Sequence, residues 1–276
     1  MRDVTSALFV PGTRPDRFEK ALASGADMAI LDLEDAVPAA DKEAARMLVE
    51  EWVSSRPEHA ARAMLRINVD DADVLERDLD LVHRLGARGL GAVLVPKTES
   101  KALVEEVAQR VAPPVRIIAL VETALGVQRL AEFADHPRLE RLAFGAADFA
   151  ADLGSSTSDR AMLFARSSIV TASAAARLAP ALDSPWFGIG DADAARRHAA
   201  DGRDLGFGGS LCIHPAQVPH IRSGYAPTPE ETDWARQVLA ADSSDGATRV
   251  GNDMVDAPVR RRAQDILRRS STSARS

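Results

Sequence analysis

The sequence predicts an α/β protein, a (βα)8 barrel with a helical appendage at its C-terminal end. Three observations carry that expectation. Short apolar runs rich in β-formers alternate with longer segments of helical period, eight times over, before about residue 225. An eightfold alternation of that length favours a closed barrel over an open sheet. The open alternative, a doubly wound sheet, wants a glycine-rich phosphate turn after its first strand, and VPGTRPDR offers a single glycine.

The elements follow in order. The first strand is Ser6–Val10, after which Thr13 can cap a helix over Arg14–Ser24 with Pro15 in its first turn. Met28–Leu33 is the second strand, and a helix runs from Pro38 to about Ser54. Ala63–Val69 and a helix over Ala72–Leu85 make the third unit. Gly91–Val95 is the fourth strand, and its helix sets Leu103, Val104, Val107 and Val111 on one face. Val115–Val121 is followed by a helix over Ala124–Ala134. Arg141–Phe144 is followed by a long loop and a long helix near Met162–Leu178. Ala181–Phe187 is a weaker strand, and Asp191 caps a helix to about Asp201. Ser210–Ile213 closes the series with a short helix after Pro215. The barrel is expected to occupy residues 1–225 and the appendage 226–276. In the appendage, helices are expected over Glu230–Ala241 and Ala257–Arg268, joined by a polar loop SSDGATRVGND, with a frayed STSARS end.

The bulk composition excludes several classes of function. Of the 276 residues 46% are apolar and 27% charged, which suits one large globular unit. The net charge of −7 and the absence of a basic block before the tail argue against nucleic-acid binding. An anionic substrate is still allowed, because local charge decides that. Cys212 is the sole cysteine, so no intrachain disulfide can form, as suits a reducing cytosol. The apolar stretch in MRDVTSALFVPG is too short for a signal peptide, and no apolar run reaches about 18 residues. A cytoplasmic protein without a membrane span is therefore expected.

In a (βα)8 barrel the active site gathers at the C-terminal ends of the strands. Charged or polar residues stand at nearly all of them here: Asp32, Glu34, Asp35, Arg66, Asn68, Lys97, Glu122, Asp148 and His214. Glu122 and Asp148 end consecutive strands, so they become neighbours at the mouth. Two hard carboxylates with room for water suit Mg²⁺, and no His/Cys cluster competes for zinc. The alternative is that each simply caps the helix that follows it. Arg66 ends an apolar strand within LRIN, where it can bind a carboxylate in bidentate fashion, pair with Glu34 or Asp35, or do both. Arg14 and Arg17 flank a helix start, with Lys20 a turn further on. That is either an anion site or a solvated face. Cys212 and His214 lack a third orienting group, so Cys212 reads as core and His214 as a rim hydrogen-bond donor.

The ordered set FVPGTRPDRFEKALASGADMAILDLEDAV, LRIN, VPKTES, ALVETALGV, FGAADFAADLG and CIHPAQV resembles the citrate lyase β-subunit-like acyl-CoA lyases of the HpcH/HpaI aldolase family, over residues 5 to about 268. The resemblance implies a barrel of the phosphoenolpyruvate/pyruvate superfamily that binds Mg²⁺ through Glu122 and Asp148. It implies that Arg66 contacts the oxo-acid and the thioester enolate, with Glu34 and Asp35 behind it. Backbone N–H groups around Ala147 and Asp148 would hold the substrate carboxylate, and Phe9, Arg14 and Lys20 would bind coenzyme A. MVDAPVRRRA matches a motif whose aspartate, here Asp256, serves as acid/base in a neighbouring subunit. Taken on its own, an Asp there is an ordinary N-cap. One departure is visible: GGSLCIHP places Ser210 where many relatives carry Lys or Thr.

The activity this implies is Mg²⁺-dependent retro-Claisen cleavage of a β-hydroxyacyl-CoA of the citramalyl-CoA or malyl-CoA type, yielding acetyl-CoA and a small 2-oxo acid. The alternatives are the β-subunit of a citrate lyase complex, a pyruvate aldolase that needs no coenzyme A, and a non-catalytic acyl-CoA-binding barrel. A homo-oligomer, a trimer or a dimer of trimers, is expected.

Overall fold

The computed structural model describes residues 1–241, 248–250 and 253–273. Eight parallel strands close a barrel in sequence order: β1 (Ser6–Pro11), β2 (Met28–Asp32), β3 (Ala63–Arg66), β4 (Ala92–Val95), β5 (Arg116–Val121), β6 (Leu139–Phe144), β7 (Ala179–Asp183) and β8 (Gly209–Cys212). β8 pairs with β1 through Ser6, Ala7 and Leu8. Closure removes every sheet edge, and the helices between strands cover the outer face.

Two apolar layers follow from the period of two along each strand. Inward side chains such as Ala7, Met28, Ile30, Met64, Leu94, Ile118, Leu120 and Leu211 fill the barrel. Outward ones, including Leu31, Leu65, Val93, Ala119 and Leu142, pack against the helices with Phe18, Val49, Leu79, Val104 and Ile169. Phe18 meets Trp52 edge-on at 5.3 Å between ring centroids. Burial of each large side chain in these layers stabilises the fold by about 1.5–3 kcal/mol. Among the described residues, no helix is long and apolar enough to cross a membrane.

Several elements differ from expectation for identifiable reasons. Thr13 is not a cap: a single 3-10 turn, Pro15–Arg17, precedes the helix Phe18–Ala23, and Asp16 pairs with Arg14 instead. The helix expected over Ala124–Ala134 is broken at Arg129 into Ala124–Gln128 and Leu130–Phe133. The long loop expected after β6 contains a helix, Ala146–Leu153, which stops at Gly154 in the left-handed conformation. Its two turns are too short for the apolar period to stand out. β7 begins two residues earlier than expected and ends at Asp183, whose carboxylate is locked to Arg166 at 2.6 Å in the helix Asp159–Ala175.

In the appendage, Thr228 and Glu231 form a capping box at the start of the helix Pro229–Ala240. The polar loop holds two short strands, β9 (Thr248–Val250) and β10 (Asp253–Val255), paired antiparallel. The last helix runs Ala257–Ser273, past the expected end, so Ser271–Ser273 are helical and 274–276 lie outside the described residues. Ala235, Val238, Val255 and Ala263 form a small core between the two helices.

Candidate active site at the mouth of the barrel

The interior rows of the barrel continue into its mouth. Phe9 extends the row of Ala7, Asp32 that of Met28 and Ile30, Arg66 that of Met64, and Glu122 that of Ile118 and Leu120. The parallel register sets Asp32 directly beside Arg66. These two buried groups form a bidentate pair, Nε–Oδ1 2.7 Å and Nη2–Oδ2 2.6 Å. Arg66 Nη1 also lies 2.7 Å from Glu34 and 3.4 Å from the largely exposed Asp35. Both expected acids therefore reach Arg66, but Asp32, expected at the rim though not as a partner of Arg66, holds it most firmly. The ring of Phe9 lies 4.9 Å from the guanidinium carbon. Burial works against the charged form of Arg66, yet the bonds to Asp32 and the charges of Glu34 and Asp35 outweigh it and raise the pKa. Arg66 is a fixed cation.

Glu122 is 2% exposed. Its Oε1 accepts the Lys97 backbone N–H at 2.9 Å. Lys97 has φ +44°, a left-handed conformation that non-glycine residues adopt at some strain. The strained turn aims the Lys97 amide at Glu122, and the Lys97 ammonium lies 3.1 Å from Glu34 and pairs with Asp70. Gly145 follows β6 opposite Glu122, its N–H bonded to Val121 O at 3.0 Å. A Cβ at Gly145 would sit 2.4 Å from Glu122 Oε2, so the glycine makes the space that the carboxylate occupies. Burial first, then the charge of Glu34 and that of Asp148, push Glu122 up to about 8 against the opposing Lys97 amide and Arg66. Glu34 is pushed up to about 6, by burial first and by Asp35, although Arg66 and Lys97 pull it down.

Neither member of the carboxylate pair caps a helix. Thr123 Oγ1 accepts Gly126 N–H at 3.0 Å, and Asp152 accepts Ala124 N–H at 2.8 Å. The cap position of the Ala146–Leu153 helix is Gly145, and Asp148 is an exposed carboxylate in the first turn. That helix start leaves the N–H groups of Ala146, Ala147 and Asp148 without intrahelical acceptors, at the positive end of the helix, where an anion is favoured.

The residues present fit a divalent cation. Asp32, Glu34 and Asp35 pair with Arg66, and Glu34 also with Lys97, whereas Glu122 makes no ion pair among the described residues and stays buried at a cost that a bound cation would relieve. No cluster of three or more His, Cys, Asp or Glu groups capable of holding a metal occurs among the described residues, and Mg²⁺ is a cation that needs only one or two protein carboxylates and keeps several waters.

The other expected residues lie apart from this cluster. Arg14 is exposed and paired with Asp16 at 2.9 and 3.0 Å, and Lys20 is exposed on the Phe18–Ala23 helix. Asp256 caps the last helix, its Oδ1 accepting Val259 N–H at 3.0 Å, and it is exposed. No contact among the described residues joins it to Glu122. Cys212 is fully buried in the core, its thiol pushed up to about 12 by burial. His214, half-buried just after β8, also caps the turn that follows: Nδ1 accepts Ala216 N–H at 3.2 Å, which leaves the proton of the neutral ring on Nε2.

One support escaped sequence reasoning. Lys42 Nζ donates to Leu33 O (2.8 Å), Glu34 O (3.0 Å) and Asn68 Oδ1 (2.6 Å), pinning the loop that carries Glu34. Asn68 in turn bonds Asp78, which holds Arg46. Nothing in the spacing of these residues marks them as one network.

Fold and site together define a carbon–carbon lyase barrel whose mouth combines an acidic pair with a fixed guanidinium. The profile of the HpcH/HpaI aldolase/citrate lyase family matches residues 5–215, and the chain belongs to that family, among its citrate lyase β-like members. A "citrate lyase subunit beta-like protein" of Mycobacterium tuberculosis is 40% identical over 272 residues, covering 95% of this chain and 94% of the relative. A "(3S)-malyl-CoA thioesterase" of Cereibacter sphaeroides is 33% identical over 237 residues, covering 86% and 82%. The crystal structure of CitE from M. tuberculosis, in complex with magnesium, acetoacetate and coenzyme A, superposes with a TM-score of 0.84 at 38% identity, covering 98% of this chain and all of that one.

Proposed function

We propose that the protein cleaves a β-hydroxyacyl-CoA of the citramalyl-CoA or malyl-CoA type to acetyl-CoA and a small 2-oxo acid, with Glu122 and Asp148 holding Mg²⁺. The observation that carries this reading is the buried Glu122, set in the space left by Gly145 beside the amide-rich helix start at Ala147–Asp148 and the fixed cation Arg66. Held by Glu122 and Asp148, Mg²⁺ would supply Lewis-acid polarisation to the oxo-acid. The N–H groups of Ala147 and Asp148 receive the acid's carboxylate. Arg66 stabilises negative charge as it develops on the departing thioester enolate, and Asp32 and Glu34 keep it oriented at no cost during the reaction. Phe9, Arg14 and Lys20 bind the coenzyme A portion, with Arg14 exchanging Asp16 for phosphate. Asp256, supplied by a second subunit of a homotrimer, protonates the enolate carbon, and its carboxylate regains the proton that the substrate hydroxyl loses as the C–C bond breaks. A cytoplasmic location suits such a substrate.

The experiment is an Mg²⁺-dependent assay of both thioesters with the wild type, Glu122→Ala, Asp148→Ala and Asp256→Ala. Loss of cleavage in the first two variants, with the fold retained, is expected. Full activity in both would sink the metal assignment. The match to a malyl-CoA thioesterase favours a second reading, hydrolysis of a malyl thioester. Free coenzyme A with intact malate, in place of acetyl-CoA, would identify it.

A further inference from the structure

The opposite end of the barrel gathers positive charge around a cavity. The cavity, about 250 Å³, lies where the segment before β1, the start of β8, the C-terminal end of the Val218–Tyr225 helix and the last helix converge. Arg2, Arg222, Arg268 and Arg269 line it, with Asp3 as the one acid in the lining among the described residues. Arg222 is paired with Asp27, and Arg268 lies 3.0 Å from Asp265. Arg269 is half-buried and makes no ion pair among the described residues. Burial first, then the charges of Arg203 and Arg268, lower its pKa against the pull of Asp265.

A second, independent feature stands behind the wall. Arg141 is fully buried with no acid in ion-pairing distance among the described residues. Its Nη1 donates to Met1 O (2.9 Å) and Val4 O (2.8 Å), while its Nε makes no hydrogen bond. Gly208 lines the cavity, and a Cβ on it would meet Pro180 Cβ at 2.8 Å and Arg141 Nη2 at 2.9 Å, so a side chain there would have to displace one or both. Burial lowers Arg141 to about 10, and the N-terminal amine is lowered as well, by burial and by the charges of Arg116 and Arg141. In a chain of net charge −7, this gathering of cations at one end of the barrel is a local excess.

We propose that this cavity is a second anion site, at the N-terminal end of the barrel, that takes a small phosphate-type polyanion and ties the last helix to the barrel. Arginine is suited to the part, since its planar fork matches the oxygens of phosphate. The volume falls below the roughly 300–1,000 Å³ of pockets for drug-sized ligands, which favours inorganic phosphate or pyrophosphate over a nucleotide. The site does not depend on the coenzyme A turn, because Arg14 and Lys20 stand beyond the C-terminal end of β1.

The test is titration of the full chain with pyrophosphate in Mg²⁺-free buffer at constant ionic strength, followed by calorimetry and by Tm. Saturable binding with a rise in Tm is expected. Arg268→Gln/Arg269→Gln should weaken it at least about tenfold, whereas Arg14→Gln/Lys20→Gln should leave it within about twofold. Asp3→Asn should tighten it severalfold by removing the repelling acid. Absence of saturable binding overturns the proposal, as does binding that survives the first double substitution or is lost in the second. Should the first variant fail to fold, Asp3→Asn decides alone: unchanged or weaker affinity overturns it. None of these outcomes depends on lyase activity.

Discussion

Substituting Glu122 by Gln should stabilise the metal-free protein while removing its response to Mg²⁺. In the folded chain Glu122 is pushed up to about 8 from an ordinary 4.5. Below about pH 4.5 both folded and unfolded states carry the proton, and Glu122 has no net effect. Between about 4.5 and 8 the unfolded chain gives up the proton while the folded chain keeps it, so stability falls as pH rises. Above about 8 both are ionised and the full penalty is present, on the order of 5 kcal/mol. The neutral amide of the variant escapes that penalty and its Oε1 still accepts the Lys97 N–H, but its own N–H groups lack a buried acceptor, which costs about 1–3 kcal/mol. The net expectation is a gain of about 2–4 kcal/mol for Glu122→Gln at pH 8.5 in EDTA, falling with pH and turning into a small loss near pH 5, where the ionisation penalty drops below the cost of the amide. Mg²⁺ at a hundred times its Kd should add about 2.7 kcal/mol to the wild type and little to the variant. Urea denaturation at both pH values, with and without Mg²⁺, measures all of these. A variant less stable than wild type at pH 8.5 without metal, or stabilised equally by Mg²⁺, refutes the reasoning.

Gly145→Ala should leave the barrel folded but displace Glu122, because the new Cβ falls 2.4 Å from Oε2; Mg²⁺-dependent Tm shifts should shrink, and an unchanged shift would contradict the space-making role. Asp32→Asn breaks the bidentate clasp on buried Arg66 and should cost about 3 kcal/mol in urea denaturation, with kcat falling more than KM rises because Arg66 is misaimed. Thr228→Ala removes one half of the capping box and should cost the appendage about 1 kcal/mol, read as faster hydrogen exchange in Pro229–Ala240 with lyase activity unchanged.

The rim residues were legible wherever strand period reaches them. Alternation from Met28 through Ile30 places Asp32 inside the barrel, just as Ile118 and Leu120 place Glu122. The partnership of Asp32 with Arg66 was not legible, because it depends on the register between β2 and β3, which neither strand encodes alone. The Ala146–Leu153 helix was hidden for a different reason: two turns give too few residues for a helical period to emerge from FGAADFAADLG. Lys97 was visible as a charge at a strand end. Its use of a backbone amide, aimed by a left-handed turn, carries no mark in residue type.

By itself, then, the sequence determined the eightfold alternation, the closed barrel, the rim that bears the carboxylate pair and the family whose motifs run through it. Those depend on period and order, which a linear chain contains in full. Only the tertiary structure decided that Glu122 lies buried in the space Gly145 leaves, that Asp32 rather than its neighbours chiefly clasps Arg66, and that Arg268 and Arg269 meet at the far end, in front of buried Arg141. These are contacts between residues far apart in the chain, with charges whose energies depend on burial, and burial exists only once the chain has closed on itself.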